Sequence, residues 1–219
     1  MALAERTAPG DRLVWIDLEM TGLDPTVDQI VEVACIVTEG DLTELDAGIS
    51  LVVQASSAAL DGMDPFVRNM HAESGLLPQI PNGVSLEQAQ REVLAYVASH
   101  VPEARKAPLA GSSVYVDRGF LAAYMPDLDA YLHYRLVDVS SVKEIAKRWY
   151  PRVYYASPEK KGNHRALGDI RESIAELRYY RDAVFVGQPG PGSKEARAIG
   201  QAHLVDHEQA GASPEAGDR

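Results

Sequence analysis

The patterned part of the chain begins with Leu13-Val14-Trp15-Ile16-Asp17, where β-branched and aromatic side chains read as a buried strand ending on a carboxylate. A second apolar run over 29–38, rich in Ile, Val and Ala with Glu32 interspersed, predicts a second strand. Glu39-Gly40-Asp41-Leu42 then turns the chain into a third, more exposed strand over 43–54. The short connections make these three antiparallel. From there the spacing becomes helical. Asp64-Pro65 opens a helix, with Asp as cap and Pro at the first helical position, and Ser74-Gly75 closes it. Ser85-Leu86-Glu87-Gln88 is a capping box ahead of Leu86, Ala89, Val93, Leu94 and Val97, a helical stripe reaching about residue 99. Pro108-Leu109-Ala110-Gly111 reads as a short buried strand, and a helix starting at 116 ends before Pro126. Another short strand over 136–139 leads to a helix capped by Ser140 or Ser141, running to about Trp149 and stopped by Pro151. The longest helix follows Arg165, through Ala166, Leu167, Ile170, Ile174, Leu177 and Tyr180 to about Phe185. Three strands followed by helices interleaved with short strands predict an α/β fold, a mixed sheet flanked by helices.

With 219 residues and 46% hydrophobic positions there is material for one sizeable core, placed at 12–186 between a flexible N-terminus (1–11) and a tail (187–219). The tail opens Gly187-Gln188-Pro189-Gly190-Pro191-Gly192-Ser193 and has few large apolar residues, so it is expected to be disordered. No apolar run approaches the roughly 20 residues that cross a bilayer. Residues 1–10 lack a signal-peptide core, and the expectation is a cytoplasmic chain with no membrane partner. Cys35, the single cysteine, sits in an apolar run, where it reads as a small buried hydrophobe and leaves no disulfide within the chain. A net charge of −11 argues against a broad basic track for long nucleic acid, so a nucleic-acid substrate would be short.

The chemistry starts where the first strand ends. Asp17 and Glu19 are two apart and share one face, while Leu18 points the other way. Two carboxylates this close repel in a dry site and suit a hard divalent cation; taken alone, the same residues also read as a strand fraying into an acidic loop. Asp117 is either a further ligand or a cap for the helix holding Phe120 and Leu121, and Asp169 either a ligand or a solvated helical Asp. His164 stands five residues before Asp169, after the turn-forming Lys161-Gly162-Asn163. Its ordinary pKa near 6.5 suits it to take a proton from water.

Trp-Ile-Asp-Leu-Glu-Met-Thr-Gly-Leu-Asp-Pro from Trp15, His-Ala-Glu-Ser-Gly-Leu from His71, Tyr-Met-Pro-Asp-Leu from Tyr124, His-Tyr-Arg-Leu-Val-Asp-Val-Ser from His133 and the Asp-Ile-Arg-Glu-Ser-Ile segment from Asp169 appear in one order. In these motifs the chain, from Arg12 to Phe185, resembles the oligoribonucleases, members of the four-carboxylate, histidine-containing 3′-to-5′ exonucleases with a ribonuclease-H-like fold. The resemblance implies hydrolysis of short RNA, from dinucleotides to about pentamers with dinucleotides preferred, to mononucleotides. It implies that Asp17, Glu19, Asp117 and Asp169 hold two divalent ions, Mg²⁺ or Mn²⁺, with His164 as general base. Two such ions about 3.5–4 Å apart can activate water and stabilise the leaving oxygen.

The resemblance also implies a substrate shell. His71, Ser113, Arg135 and Ser140 would close over the 5′ phosphate, while Leu18 and Tyr134 wedge and stack the bases, with Met20 beside them. Tyr134, Arg135 and Ser140 would come from the second subunit of a homodimer with shared active sites. The segment Gly111-Ser112-Ser113-Val114-Tyr115-Val116-Asp117 departs from the commoner family pattern, which has Asn after the Gly and Gly-Gln before the Asp. Two other readings are a proofreading-type exonuclease on longer DNA, disfavoured by the acidic surface, and a non-catalytic module that binds dinucleotides.

Overall fold

The computed structural model describes residues 11–159, 162 and 164–204. The chain divides into two units, Met1–Val184 and Phe185–Arg219. In the first, strands β1 (Leu13–Met20), β2 (Ile30–Thr38), β3 (Ile49–Val52), β4 (Pro108–Gly111) and β5 (His133–Asp138) form one sheet in the order β3-β2-β1-β4-β5. β1 pairs antiparallel with β2, and β2 with β3, whereas β4 runs parallel to both β1 and β5. The mixed α/β sheet expected from the sequence is therefore present, with β1 at its centre.

Helices cover both faces. They are α1 (Ser57–Asp61), α2 (Pro65–Glu73), α3 (Leu86–His100), α4 (Tyr115–Tyr124), α5 (Pro126–Tyr131), α6 (Val139–Trp149), α7 (Pro151–Tyr155) and α8 (Ala166–Val184). A 3₁₀ turn, Leu77–Asn82, follows α2. Val14, Ile16 and Leu18 point into a core shared with Ala89, Val93 and Val97 of α3 and Phe120 and Leu121 of α4. Trp15 points the other way, into a second core with Ala34, Ile36, Ala110 and the α8 residues Ala166, Ile170 and Ile174. Being buried on both faces explains why β1 and β2 read as nearly continuous apolar runs. The alternation that buries Trp15 sends Asp17 and Glu19 to the α8 side.

Local chemistry accounts for the helix starts. Asp64 accepts the Phe66 N–H ahead of Pro65, and Ser85 accepts the Gln88 N–H. The reciprocal half of that capping box is replaced by a bond from Gln88 Nε2 to Glu92. Three expectations are corrected. The third strand is only Ile49–Val52, because Asp41 and Asp46 take the backbone N–H groups of Thr43 and Gly48 in local turns that compete with the ladder. α6 is capped by Asp138, whose side chain accepts the Ser140 N–H, rather than by Ser140 or Ser141. Pro126 and Pro151 also start short helices, since proline at the first position loses no hydrogen bond.

The second unit, by itself, holds a helix α9 (Ser193–Ala202) where disorder was expected. Lys194, Glu195, Ala196, Arg197, Ala198 and Gln201 are strong helix formers, so local propensity acts where burial does not, and every residue of α9 is exposed. Residues 1–10 and 205–219 of the expected flexible ends lie outside the described residues. No helix among the described residues is long and apolar enough to cross a membrane.

The second core holds one buried polar pair: Trp15 Nε1 donates to Thr38 Oγ1 at 3.0 Å, both residues having no exposed surface. Thr38→Val keeps the shape but strands the indole N–H, and is expected to cost about 1–3 kcal/mol. Urea unfolding of the variant checks this; an unchanged midpoint would show that the bond contributes nothing.

Candidate active site

The site forms where β1 leaves the sheet and α8 begins. Ala166 and Ile170 are buried against the sheet, which sets the first turn of α8 beside β1 and brings Asp169 up to it. Asp17, Glu19 and Asp169 each offer a carboxylate oxygen, and these oxygens lie within 4.8 Å of one another. Asp117 arrives from the first turn of α4, where burial of Phe120 and Leu121 fixes the helix. Its Oδ1 accepts the Leu18 N–H at 3.0 Å. Asp117 thus bonds across to β1, and the half-buried Asp169 lies close to the other acids.

Burial and mutual repulsion act together here. Asp17 has its pKa raised well above the carboxylate range, first by burial and then by Asp117, Glu19, Asp169 and Glu32. Glu19 is pushed up to about 8 by burial and by Asp169, Glu32 and Asp117, with Arg165 opposing. Asp117 is pushed up to about 7 by burial, which the Leu18 N–H partly offsets. Carboxylates raised in this way are stabilised in their charged form by a cation. An all-oxygen, hard donor set fits a divalent ion of the Mg²⁺, Mn²⁺ or Ca²⁺ kind and not a thiolate-preferring one. The acidic cluster thus has the makings of a divalent-cation site.

The other expected residues fall at different places. His164 is exposed, with φ of 47°, just before α8. Its ring lies against Gly162, where a Cβ would come 3.6 Å from Nε2. It stands apart from the set of mutually close carboxylates, and its neighbour Asn163 and the turn residue Lys161 lie outside the described residues. His71 is fully buried; Nε2 donates to the Met20 carbonyl at 2.8 Å, leaving Nδ1 at 3.8 Å from Glu19 Oε2 and without a hydrogen-bond partner. Leu18 is 5% exposed in the first core, so only an edge of it can meet a base. Met20 is half-buried and packs on that core.

Ser113 and Ser140 meet within one chain. Their hydroxyls are 3.0 Å apart, and Asp138 Oδ1 accepts both backbone N–H groups at 2.9 Å. β4 and β5 are parallel neighbours, so their ends place Ser113 and Ser140 together. Tyr134 and Arg135 are exposed on β5, with Arg135 Nε donating to the Tyr134 hydroxyl at 3.1 Å. Neither belongs to the carboxylate cluster.

Three residues escaped the sequence analysis as site members. Asp138 is one. Glu32 and Arg165 are the others, a buried carboxylate and a half-buried guanidinium paired at 2.9 Å beside the acids. A signal existed: Glu32 is the one charged residue in the run 29–38, and a carboxylate buried there needs a partner.

Comparison with known proteins adds to the geometry. Residues 14–177 match the RNase_T family, described as Exonuclease. An oligoribonuclease of Streptomyces avermitilis is 58% identical over 195 residues, covering 89% of this chain and 98% of the relative. One from Leifsonia xyli is 58% identical over 188 residues (86% and 91%), and one from Rhodococcus jostii 52% over 190 residues (86% and 96%). Among solved structures, exonuclease I of Methylocaldum szegediense shares 18% identity at a TM-score of 0.57, covering 86% of this chain and 45% of that one. The zinc-bound form of an E. coli exonuclease I complex with single-stranded DNA shares 12% at a TM-score of 0.60, covering 79% and 41%. This chain spans under half the length of those two, and the likeness concerns the fold.

The raised carboxylates make a prediction about stability. A raised pKa means the folded chain keeps a proton that the unfolded chain has released, so this contribution falls as pH climbs from about 4.5 towards about 8 for Glu19. In chelator the melting temperature is expected to drop across that interval, and added Mg²⁺ or Mn²⁺ to flatten the drop. A melting temperature in chelator that rises steadily with pH contradicts the charge crowding.

Proposed function

The chain belongs to the oligoribonucleases, within the exonuclease family, and from that premise we infer that dinucleotides are the preferred substrate of its 3′-to-5′ exoribonuclease activity on short RNA. The enzyme is a phosphodiester hydrolase, and its products are 5′-mononucleotides. One observation carries the reading: four carboxylates from three separate elements converge, three with oxygens within 4.8 Å and the fourth on the Leu18 N–H.

The division of labour follows from the side chains. Asp17, Glu19, Asp117 and Asp169 hold two ions, Mg²⁺ or Mn²⁺. When bound, such ions supply Lewis-acid stabilisation of charge on the attacking and leaving oxygens. His164 is the general base; exposed just before α8, it takes the proton of the water that attacks phosphorus and releases it to solvent. The bond from phosphorus to the 3′ oxygen of the preceding nucleotide breaks, and that oxygen leaves with a proton from solvent.

Length selection rests on the shell. The paired hydroxyls of Ser113 and Ser140 can donate to a terminal phosphate, which carries more charge than an internal diester. His71 steadies the end of β1 through its bond to Met20. The Tyr134 ring, 74% exposed, is an aromatic face that stacks on any base, and Arg135 beside it can pair with phosphate. Both stand exposed on the edge strand β5 and outside the carboxylate cluster, which supports their use in the site of a second copy. The working enzyme is then a homodimer with shared sites. The proposed setting is cytoplasmic.

A labelled diribonucleotide, a pentamer and a longer DNA strand, each with and without Mg²⁺ or Mn²⁺, test this reading. Metal-dependent release of mononucleotide, fastest from the dinucleotide, is expected; DNA cut as fast points to the proofreading type, and binding without cleavage to a silent module. Asp17→Ala is expected to abolish turnover in a folded protein, and normal cleavage by it in metal-supplemented buffer overturns the site. Tyr134→Ala is expected to lower the preference for dinucleotide over heptamer in direct competition, with unchanged melting; an unaltered ratio removes Tyr134 from the shell.

A further inference from the structure

Beside the four acids stands a fifth carboxylate with different company. Glu32 lies on β2 directly opposite Glu19, and it is 1% exposed. Arg165 grips it twice: Nε donates to Oε2 at 3.0 Å and Nη2 to Oε1 at 2.9 Å. Ser50 Oγ donates to Oε1 at 2.8 Å, and the Ala166 N–H approaches Oε2 at 3.4 Å. Glu32 therefore has its lone pairs committed to protein donors. It is not in the group of oxygens placed to share an ion.

Arg165 is bound through its backbone as well. Its carbonyl accepts the N–H groups of Gly168 at 2.8 Å and Asp169 at 3.1 Å, so it starts the helix that carries a metal-site acid. The residue on its other side is His164, exposed and in the left-handed region that a β-substituted side chain adopts at a cost. A histidine so placed takes its position from what holds its neighbours. Burying a carboxylate against a guanidinium is a costly way to gain stability, even where, as with Arg165, the cation stays about one third exposed. A bidentate guanidinium–carboxylate contact does, however, fix direction at both ends.

We propose that Glu32 and Arg165 form a positioning latch for His164, pinning the residue next to the base to the central sheet so that the imidazole and Asp169 keep a constant spacing. The latch rests on the reading of His164 as general base. It acts through His164 and does not touch substrate. Effective proximity is sensitive to such anchoring, because displacing a catalytic group by about 1 Å can cost roughly a hundredfold in rate.

The test is a kinetic cycle on the full chain with diribonucleotide and Mn²⁺. Arg165→Met and Glu32→Gln are each expected to lower kcat roughly ten- to a hundredfold, with KM and the calorimetric Mn²⁺ dissociation constant held within about twofold. Arg165→Lys, which keeps the charge and loses the fork, is expected to recover part of the rate. The deciding comparison is made in a His164→Ala background, where Arg165→Met should lower kcat no further. An equal loss in that background, or weakened Mn²⁺ binding in step with kcat, overturns the latch and assigns the pair to the fold or to Asp169. If His164→Ala itself leaves kcat intact, the base assignment falls and the latch with it; if His164→Ala is impaired and both Arg165 variants are not, only the latch falls. Melting temperatures taken in chelator separate variants that misfold, and should Arg165→Met misfold, Arg165→Lys carries the same cycle.

Discussion

Repulsion between carboxylates in a nearly dry pocket is the constraint on which this structure turns. Asp17, Glu19 and Asp169 are held within 4.8 Å, and Asp117 and Glu32 add to the same field. No short peptide could keep such a group together, since separation and hydration would release its strain. It persists because each acid grows from an element whose other side chains are committed elsewhere. Trp15 and Ile16 bury on opposite faces of the sheet, Phe120 and Leu121 fasten α4, and Ile170 and Ile174 fasten α8. The hydrophobic burial of these neighbours, of order 1.5–3 kcal/mol for each large side chain, opposes the crowding.

The charges are not treated alike. Glu32 is neutralised from within by Arg165, whereas Glu19 directly opposite it is left with a pKa pushed up to about 8. Asp117 keeps a backbone N–H as partner and sits lower, at about 7. The fold thus satisfies Glu32 with a guanidinium, while Asp17, Glu19 and Asp117 keep raised pKa values. That asymmetry sets Glu32, held by protein donors, apart from Glu19 on the same face of the sheet. The acidity of the chain as a whole, −11, includes these clustered carboxylates, whose charge a bound cation would offset.

Other polar residues gather at the ends and edge of the sheet. β4 and β5 run parallel, so Ser113 and Ser140 emerge side by side, and the Asp138 carboxylate ties both backbones at once. Tyr134 and Arg135 stand exposed on β5 at the sheet edge. There the Arg135 guanidinium lies over the Tyr134 ring, 5.5 Å from its centroid.

Much of this was legible beforehand. The apolar runs of β1 and β2, the Asp64 and Ser85 caps, the stripe of α8 and the α/β class follow from period and turn chemistry, which are local properties. The motif containing Asp17 and Glu19, those starting at His71, Tyr124 and His133, and the segment starting at Asp169 carried the family and its activity. Where side chains competed with the ladder, the local reading failed: Asp41 and Asp46 took backbone donors that a third strand over 43–54 needed. α9 arose from propensity where apolar content had pointed to disorder. What only the tertiary structure decided were the pairings across distance: Asp117 on the Leu18 amide, Ser113 beside Ser140 in the same chain, and Arg165 on Glu32. Spacing along a chain states which face a residue takes on its own element. Which residue of another element waits on that face depends on how helices and strands pack, and that is a property of the whole fold.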